Sequence, residues 1–436
     1  MTTRVPGTTS ASGEKRVIGN VLRGSVGNLI EWYDWYAYSA FATYFSHSFF
    51  PKGDRTAELL NTAAVFAVGF LMRPIGGWLL GRFADRFGRR TALVLSVSMM
   101  AFGSLLITFT PGHETIGVAA PIILVIARLL QGLSVGGEYS TSATYLSEVA
   151  SPGRRGFYSS FQYVTLTAGQ LLALTLQLVL QQVLTQQQMH DWGWRIAFAV
   201  GALAAVVVLF LRRGMDESES YREQRGGHDR GTLRALLRHP KEVLLVVGLT
   251  LGGTVAFYTY TTYMQKFMEN TAGIPKTTVT WINFAALLVF VLLQPLAGAL
   301  SDRIGRRKLL LFFGIAGTVL TVPLMSAMGS TRQPVLALLL MLAALVIVTG
   351  YTSINAIVKA ELFPTNVRAL GVGLPYALTV AIFGGSSEYF ALWLKEAGHE
   401  QVFFYYVAGC VLISLIVYGT MRETSKRSPI DRPDAE

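Results

Sequence analysis

Long apolar runs alternate with short polar segments along almost the whole chain. About 20 mostly apolar residues suffice for one helix to cross the hydrocarbon core of a bilayer. Twelve runs meet this requirement, and the longer ones suit tilted helices. The pattern predicts an all-α membrane protein with twelve transmembrane helices, at 18–45, 57–81, 92–110, 117–148, 157–184, 194–212, 242–266, 278–300, 308–328, 334–361, 369–394 and 401–421.

The polar segments contain a repeat. Residues 81–90, Gly-Arg-Phe-Ala-Asp-Arg-Phe-Gly-Arg-Arg, return half a chain later as residues 298–307, Gly-Ala-Leu-Ser-Asp-Arg-Ile-Gly-Arg-Arg. A second spacing also recurs, at the end of one apolar run in each half. Glu148 lies seven residues before Arg155, and Glu361 lies seven residues before Arg368. Internal duplication of this kind is typical of secondary transporters. It predicts two pseudo-symmetric six-helix bundles.

One longer polar segment separates the two repeats. Its arginines alternate with acids and glycines, which is typical of a solvated, amphipathic linker. The chain is therefore predicted to have five parts, namely an N-terminal tail at 1–17, a first bundle at 18–212, a linker at 213–241, a second bundle at 242–421 and a C-terminal tail at 422–436.

Composition agrees with a membrane protein. Hydrophobic residues make up 52% of the chain and charged residues 14%, against roughly 25% charged in soluble domains. The net charge of +11 would also suit a nucleic-acid-binding protein, but most of the Lys and Arg fall on alternate loops. That bias is the positive-inside pattern, and it predicts that both termini are cytoplasmic. We therefore expect the lipid bilayer, and no nucleic acid, as the partner of this charge.

The repeated loop resembles the signature loop of the major facilitator superfamily. Segments 28–34, 73–77 and 128–138 are similar to its metabolite:proton symporter branch. Two longer strings, 132–148 and 156–166, resemble bacterial members of that branch that carry α-ketoglutarate. The resemblance implies a multi-pass protein of the bacterial inner membrane that takes up a small organic anion with protons by alternating access. It implies no cofactor and no metal.

The resemblance leaves the substrate open among several metabolites. α-Ketoglutarate, a C5 dicarboxylate, is the first expectation, and citrate, shikimate and proline or betaine are the alternatives. A membrane enzyme or receptor on the same scaffold is an alternative of another class. An enzyme would need a nucleophile with its base, metal ligands or a cofactor loop, and the chain has no HExxH, GxSxG or nucleotide-binding motif. We therefore expect a transporter and not an enzyme, and a monomer.

Charged side chains are rare inside the predicted helices. Because a charge in the hydrocarbon core is costly, each is a functional candidate. All six histidines lie in loops or at helix ends, so a proton relay must use carboxylates. The candidates for proton coupling are Asp34, Glu31 and Glu138, with Glu388 as a further deep acid. Helical rise places Asp34 level with Arg128, and we predict an ion pair that either opens when substrate binds or only fixes the helices.

Two arginines inside the predicted helices favour an anionic substrate, since a guanidinium binds a carboxylate bidentately. Arg73 could instead pair with Glu138, which lies at a similar depth. Lys266 and Lys359 lie near helix ends, where we expect them to snorkel. Hydroxyl and amide side chains in several helices predict a polar cavity, and the predicted substrate-binding residues are Arg73, Arg128, Gln162, Tyr163, Gln170, Tyr258, Tyr263 and Asn355.

The repeated loops also have a mechanical interpretation. Their aspartates can approach the N-terminus of a neighbouring helix, and their arginines can bind the repeated glutamates or anionic lipid. Such contacts would hold the two bundles together while the protein is open to the outside; solvated loop charge is the alternative. The predicted gating residues are Asp85, Arg89, Arg90, Glu148, Asp302, Arg306, Glu361 and Arg368. Gly132, Gly136 and Gly137 are predicted to allow close helix packing.

Overall fold

The computed structural model describes residues 11–50, 55–87, 89–151, 153–213, 232–364, 367–425 and 430, with no strand among them. Twelve long helical segments account for most of these residues. They are α1 (Ala11–Phe49), α2 (Arg55–Phe87), α3 (Arg89–Phe109), α4 (Ala119–Val149), α5 (Arg155–Val183), α6 (Gln186–Gln188, Met189–Gly193 and Trp194–Arg213), α7 (Pro240–Tyr258, Thr259–Tyr263 and Met264–Asn270), α8 (Lys276–Ile304), α9 (Arg306–Ser330), α10 (Pro334–Thr352 and Asn355–Ala360), α11 (Arg368–Thr379, Val380–Gly384 and Gly385–Glu396) and α12 (Glu400–Thr420).

Eleven of these segments, α2 to α12, are long and apolar enough within the described residues to cross a membrane. The first is not among them, because its many polar aromatic residues and the acids Glu31 and Asp34 lower its hydropathy. It is nevertheless 39 residues long, and it packs on α4, α5 and α6 as α7 packs on α10, α11 and α12. It is therefore the twelfth membrane helix, and the prediction of twelve is confirmed.

The two halves have the same arrangement of neighbours. In the first half α2 packs on α4 and α3 on α6, and in the second α8 packs on α10 and α9 on α12. Between the halves, α2 packs on α11 and α5 packs on α8. These two contacts are equivalent, because α2 corresponds to α8, and α5 to α11, when each helix of the first half is matched with the helix six places later. The prediction of two pseudo-symmetric bundles is confirmed. We call the side at which α2 and α8 end the inner side, and the opposite side the outer side.

Four of the segments are interrupted in the part of the chain that the structure describes. Residues Met189–Gly193, Thr259–Tyr263 and Val380–Gly384 form π-helical turns in α6, α7 and α11. In α10 the helix stops at Thr352 and a six-residue helix resumes at Asn355. Irregular backbone at membrane depth is tolerated where protein encloses it, and π-turns are frequent at functional sites. The tenth span predicted at 334–361 is confirmed as Pro334–Ala360, with an interruption that the sequence did not indicate.

Glycines bring α2 and α4 into backbone contact. A Cβ atom on Gly132 would collide with the carbonyl oxygen of Gly69, and one on Gly136 with that of Arg73. A Cβ atom on Gly137 would collide with Leu80. The predicted packing role of these α4 glycines is confirmed. It fixes Arg73 against α4 at the level of Gly136.

Candidate functional site

Two arginines of the first half are enclosed within the protein. Arg73 on α2 is 3% exposed and Arg128 on α4 is 0% exposed. Both guanidinium carbons lie 4.2 Å from the ring centroid of Trp35. Arg73 also lies 4.0 Å from the centroid of Phe70, and Arg128 lies 4.3 Å from that of Tyr38. The aromatic faces attract these cations and hold them without cancelling their charge.

Neither arginine uses all its donors. Arg73 donates from Nη1 to the hydroxyl of Tyr258 on α7, at 3.3 Å, and Arg128 donates from Nη1 to Oε1 of Gln131, at 2.9 Å. The Nε and Nη2 atoms of both arginines are buried without a hydrogen-bond partner. Buried charge is costly unless it is paired. Both guanidinium groups lie against Trp35, and that of Arg73 reaches α7 of the second half, where a carboxylate would satisfy its free donors.

Asp34 does not pair directly with Arg128. The side chain of Gln131, one turn inward of Arg128 on α4, lies between them. Its Nε2 donates to Oδ2 of Asp34 and its Oε1 accepts from Arg128. Asp34 and Arg128 are both fully buried. The predicted common depth is confirmed, and the predicted direct ion pair is wrong because an amide bridges the two charges.

Glu31 lies one turn inward of Asp34 on the same face of α1. It accepts a hydrogen bond from Oγ of Ser134 on α4, and Ser134 is in turn bonded to Ser96 on α3. Glu31 is 3% exposed. The acid is therefore held by hydroxyls, within the first half and away from the second.

Glu138 pairs with Arg212 rather than with Arg73. Arg212, near the end of α6, donates from Nη1 to Oε2 of Glu138 at 2.9 Å and from Nη2 to the other oxygen. It also donates to the carbonyl of Leu93, at 2.9 Å. Both side chains are 1% exposed. The alternative pairing of Arg73 with Glu138 does not occur, because Arg212, the last residue of the sixth predicted helix, is buried and binds Glu138.

The second half contributes a buried cation, Lys359. Its Nζ donates to Oδ1 of Asn355 at 2.9 Å and to the hydroxyl of Tyr139 on α4 at 3.1 Å. It lies 3.7 Å from the ring centroid of Tyr376 on α11. Lys359 is 0% exposed. The expectation that it snorkels was wrong, because Asn355 and Tyr139 draw the ammonium toward the membrane centre.

The three predicted binding residues of α5 have different surroundings. Gln162 is saturated within the first half, since its Oε1 accepts from Ser142 at 3.0 Å and its Nε2 donates to Asn28 at 3.4 Å. Tyr163 packs edge-on against a phenylalanine of α7. Gln170 donates to the carbonyl of Thr261 on α7, at 3.4 Å. Tyr163 and Gln170 thus lie at the interface, and Gln162 serves internal packing in this structure.

The structure places Tyr263 outside this central group. Its hydroxyl donates to Oε1 of Glu400 at the outer start of α12, at 3.0 Å, and Glu400 also accepts from Thr271. Lys266, half exposed, pairs with Glu388 in the outer half of α11. These contacts form an outer network within the second half, and the substrate-binding role of Tyr263 stays a prediction.

At the inner side the two halves meet through α5 and α8. Asp302 accepts from the backbone N–H groups of Gly156 at 2.8 Å and Phe157 at 3.0 Å, the first turn of α5. Arg306 binds Asp302 at 2.7 Å and Glu361 at 3.6 Å. A carboxylate at a helix N-terminus is stabilised by the free N–H groups and the helix dipole. The predicted approach of this aspartate to a neighbouring helix is confirmed. We call Asp302, Arg306 and Glu361 the inner latch.

The first repeat of the latch lies partly outside the described residues. Nothing is described for the side chains of four predicted gating residues, Asp85, Arg89, Arg90 and Glu148. Arg368 is buried at the start of α11 and donates to the carbonyl of Phe363, at 3.2 Å. Their gating role stays a prediction.

Sequence comparison places this architecture in a family. A model of the Major Facilitator Superfamily matches residues 25–374 and, separately, residues 258–435. The chain belongs to the major facilitator superfamily. The α-ketoglutarate permease of Escherichia coli (strain K12) is 54% identical over 408 residues, 94% of each chain. The citrate-proton symporter of Klebsiella pneumoniae is 34% identical over 382 residues, 87% of this chain and 86% of the relative. All of the fold features above are thus those of a transporter family.

Solved structures agree with this fold. The proton:xylose symporter XylE bound to 6-bromo-6-deoxy-D-glucose has a TM-score of 0.81, with 19% identity, over 96% of this chain and 98% of that one. The inward open conformation of XylE from E. coli has a lower TM-score, 0.65, at 20% identity, over 96% of this chain and 99% of that one.

A short segment after α12 is bound to the inner latch, which the sequence did not indicate. Glu423 accepts from the backbone N–H groups of Arg306 at 2.9 Å and Arg307 at 3.1 Å, and Thr424 donates to Glu361 at 2.5 Å. Burial disfavours the charge of Glu423, but hydrogen bonds from Arg306, Ser425 and Arg307 outweigh it and hold its pKa below the ordinary value. Glu423 is therefore an ionised cap of α9 at neutral pH.

The same cap explains a glycine of the repeated loop. Gly305 has φ of +95°, a conformation that residues with a Cβ rarely adopt. A Cβ atom there would also lie 2.6 Å from Oε2 of Glu423. The loop between α8 and α9 therefore needs glycine both for its turn and for the approach of the C-terminal segment.

Weakening the inner latch should slow transport more than binding. We expect Asp302→Asn to lower the turnover rate about tenfold, because one charge-assisted hydrogen bond to α5 is lost. The dissociation constant for substrate should change less than about threefold. Initial uptake rates and equilibrium binding on the same preparation give both numbers. Glu396→Gln, an exposed acid at the outer end of α11, is the control, and an equal loss of rate and affinity in Asp302→Asn would contradict the latch.

Proposed function

We propose that this chain takes up α-ketoglutarate together with protons across the bacterial inner membrane, with the inner side and both termini in the cytoplasm. The observation that carries the proposal is the pair of buried arginines with unbonded donors, one of which, Arg73, lies at the interface of the two halves. The similarity to the E. coli α-ketoglutarate permease supports the substrate. The positive-inside charge pattern supports the orientation.

The charge of the site supports an anion over a sugar or a zwitterion. Arg73, Arg128 and Lys359 are all buried, and among the described residues none of them forms a salt bridge with an acid. The nearest acid, Asp34, is separated from Arg128 by an amide. A carboxylate ligand would offset this excess of positive charge. Citrate is the second candidate, since a citrate-proton symporter is among the relatives and the same argument applies to it.

The bridge through Gln131 supports a coupling between proton and substrate. While Asp34 is ionised, its negative charge lies one amide away from Arg128 and weakens the attraction of Arg128 for a second anion. Protonation of Asp34 removes that charge, so Arg128 attracts the substrate carboxylate more strongly. Linkage is reciprocal, and bound substrate must favour the protonated form by the same factor. The two ligands therefore load together.

The two ends of the interface support alternating access. In this structure the inner latch closes the inner side through the first turn of α5, and Arg73 and Lys359 form hydrogen bonds between the halves. We expect loaded protein to release the latch and rotate the halves, so that substrate and proton leave on the inner side. On that side Asp34 can lose its proton once the anion has left. Return of the empty protein completes the cycle.

A binding panel tests the proposed substrate. Purified protein in detergent is titrated with α-ketoglutarate, citrate, shikimate and glycine betaine, and the melting temperature and competition with labelled α-ketoglutarate are measured. A ligand at a hundred times its Kd stabilises the folded state by about 2.7 kcal/mol. We expect the largest stabilisation with α-ketoglutarate, a smaller one with citrate and none with betaine. Stabilisation by betaine or shikimate alone would contradict the proposal.

A further inference from the structure

We propose that Lys359 is the second carboxylate-binding group of the site, so that a dianionic substrate is bound by one half at each end. This inference rests on the proposed function and goes beyond it, because it gives the second half a defined part in recognition. It makes Lys359 the residue that separates dicarboxylates from monocarboxylates.

The surroundings of Lys359 are those of a cation without an acid. Its two hydrogen-bond partners, Asn355 and Tyr139, are neutral, and Tyr376 offers only its ring face. No acid among the described residues forms a salt bridge with it. A buried ammonium held only by neutral groups is costly. Such a group is expected in a membrane protein only where it binds something.

Two lysines of the second half form ion pairs and provide a contrast to Lys359. Lys266 pairs with Glu388 and its side chain is 46% exposed. Lys395 lies 3.7 Å from Glu400 and its side chain is 30% exposed. Both lie toward the outer ends of their helices and have water and an acid to balance their charge. Lys359 is 0% exposed and pairs with no acid in the described part of the chain, which distinguishes it from a lysine that only anchors a helix.

The position of Lys359 places it across the interface from Arg73. Tyr139, its partner on α4, lies one turn inward of Gly136, and Gly136 touches the backbone of Arg73. One turn corresponds to a rise of about 5 Å. Tyr139 is stacked on Tyr376 of α11, with centroids 3.8 Å apart. Arg73 and Lys359 thus approach α4 at neighbouring turns, with tyrosines between them.

This arrangement gives the second carboxylate a mechanical effect. One carboxylate bound by the arginines belongs to the first half, and one bound by Lys359 belongs to the second half. A dianion therefore joins the halves by charge at both ends, whereas a monocarboxylate occupies only the first. The hydrogen bond from Lys359 to Tyr139 already links the halves, and the substrate would take over that link.

The test compares two ligands that differ only at the distal end. α-Ketoglutarate has a carboxylate there, and 2-oxopentanoate, of equal chain length, has a methyl group. Dissociation constants are measured by calorimetry on purified protein at fixed pH and salt, for wild type, Lys359→Met and Lys359→Arg. Lys266→Met is the matched control, because it removes a lysine of the same half that already has an acid partner.

We expect wild type to prefer α-ketoglutarate by about ten- to a hundredfold, the effect of one charged hydrogen bond. Lys359→Met should reduce this preference to less than about threefold by weakening α-ketoglutarate alone, whereas Lys359→Arg and Lys266→Met should retain it. Equal weakening of both ligands, or an unchanged preference, in Lys359→Met would overturn the inference. So would a wild-type preference below about threefold, a measurement that needs no variant.

The same titrations separate failure of this inference from failure of the proposed function. If wild type binds α-ketoglutarate or citrate but shows no dependence on Lys359, the inference alone is overturned. If neither acid binds to wild type, the proposed function is overturned and the inference with it. A separate measurement, uptake into proteoliposomes, gives one more outcome. If Lys359→Met retains the preference for the dicarboxylate and loses only proton-driven uptake, Lys359 carries the proton and the inference is overturned as well.

Discussion

Asp34→Asn is expected to abolish accumulation of substrate against its gradient while sparing exchange of internal for external substrate. The neutral amide resembles protonated Asp34 in charge, so Arg128 remains ready for the carboxylate at every pH. Exchange needs only the loaded form of the protein, whereas net uptake needs release of the proton on the inner side. Both reactions are measured in the same proteoliposomes, with and without an imposed pH gradient.

Asp191→Asn is the control for this experiment, since Asp191 is exposed near the outer start of α6. It should leave both accumulation and exchange unchanged. If Asp34→Asn still concentrates substrate, the coupling site lies elsewhere, and Glu31 and Glu138 are next in order. Of these, Glu31 is the better placed, because it has no cationic partner among the described residues, while Glu138 is bound by Arg212.

Arg73→Gln and Arg128→Gln are each expected to raise the dissociation constant for α-ketoglutarate about ten- to a hundredfold. Each loses a charged hydrogen bond worth about 1.5–3 kcal/mol. Both arginines are buried against Trp35. Each glutamine variant therefore also loses a cation–π contact within the protein, worth about 0.5–2 kcal/mol of folding stability. Titration of purified protein at two salt concentrations gives the constants and their dependence on charge.

Arg332→Gln, an exposed arginine in the loop between α9 and α10, should leave the affinity unchanged. A thermal melt of each variant without ligand separates lost binding from lost packing. Wild-type affinity in both central variants would show that neither arginine touches the substrate. A large fall in melting temperature with the same affinity would assign them to packing between helices.

The sequence could predict the fold because its main determinants are local. Apolar length defines each helix, and the repeated loops at 81–90 and 298–307 define the two halves. The same logic predicted the inner latch, since an aspartate at the end of one helix is free to approach the N-terminus of a neighbouring helix. It also gave the common depth of Asp34 and Arg128, because depth follows from counting residues along a helix.

Counting residues along a helix gives the depth of a side chain in the membrane. It does not give the direction in which the side chain points around the helix axis, or its partners on other helices. Depth alone did not reveal that Gln131 lies between Asp34 and Arg128. A charged residue in the last turn of a helix usually faces water, so Arg212 gave no signal of its buried pairing with Glu138. The same assumption misplaced Lys359. The helix breaks at Ser353 and Ile354, and neither of these residues is a proline or glycine that would have indicated an interruption.

The central claim is that a proton gradient drives the uptake of α-ketoglutarate through this chain, and labelled uptake into proteoliposomes tests it most directly. Purified protein is reconstituted, the exterior is made acid relative to the interior, and internal label is followed over time. The account predicts accumulation above the external concentration, abolished by a protonophore and by Asp34→Asn. Label that only reaches the external concentration, or accumulation that a protonophore leaves intact, would contradict it.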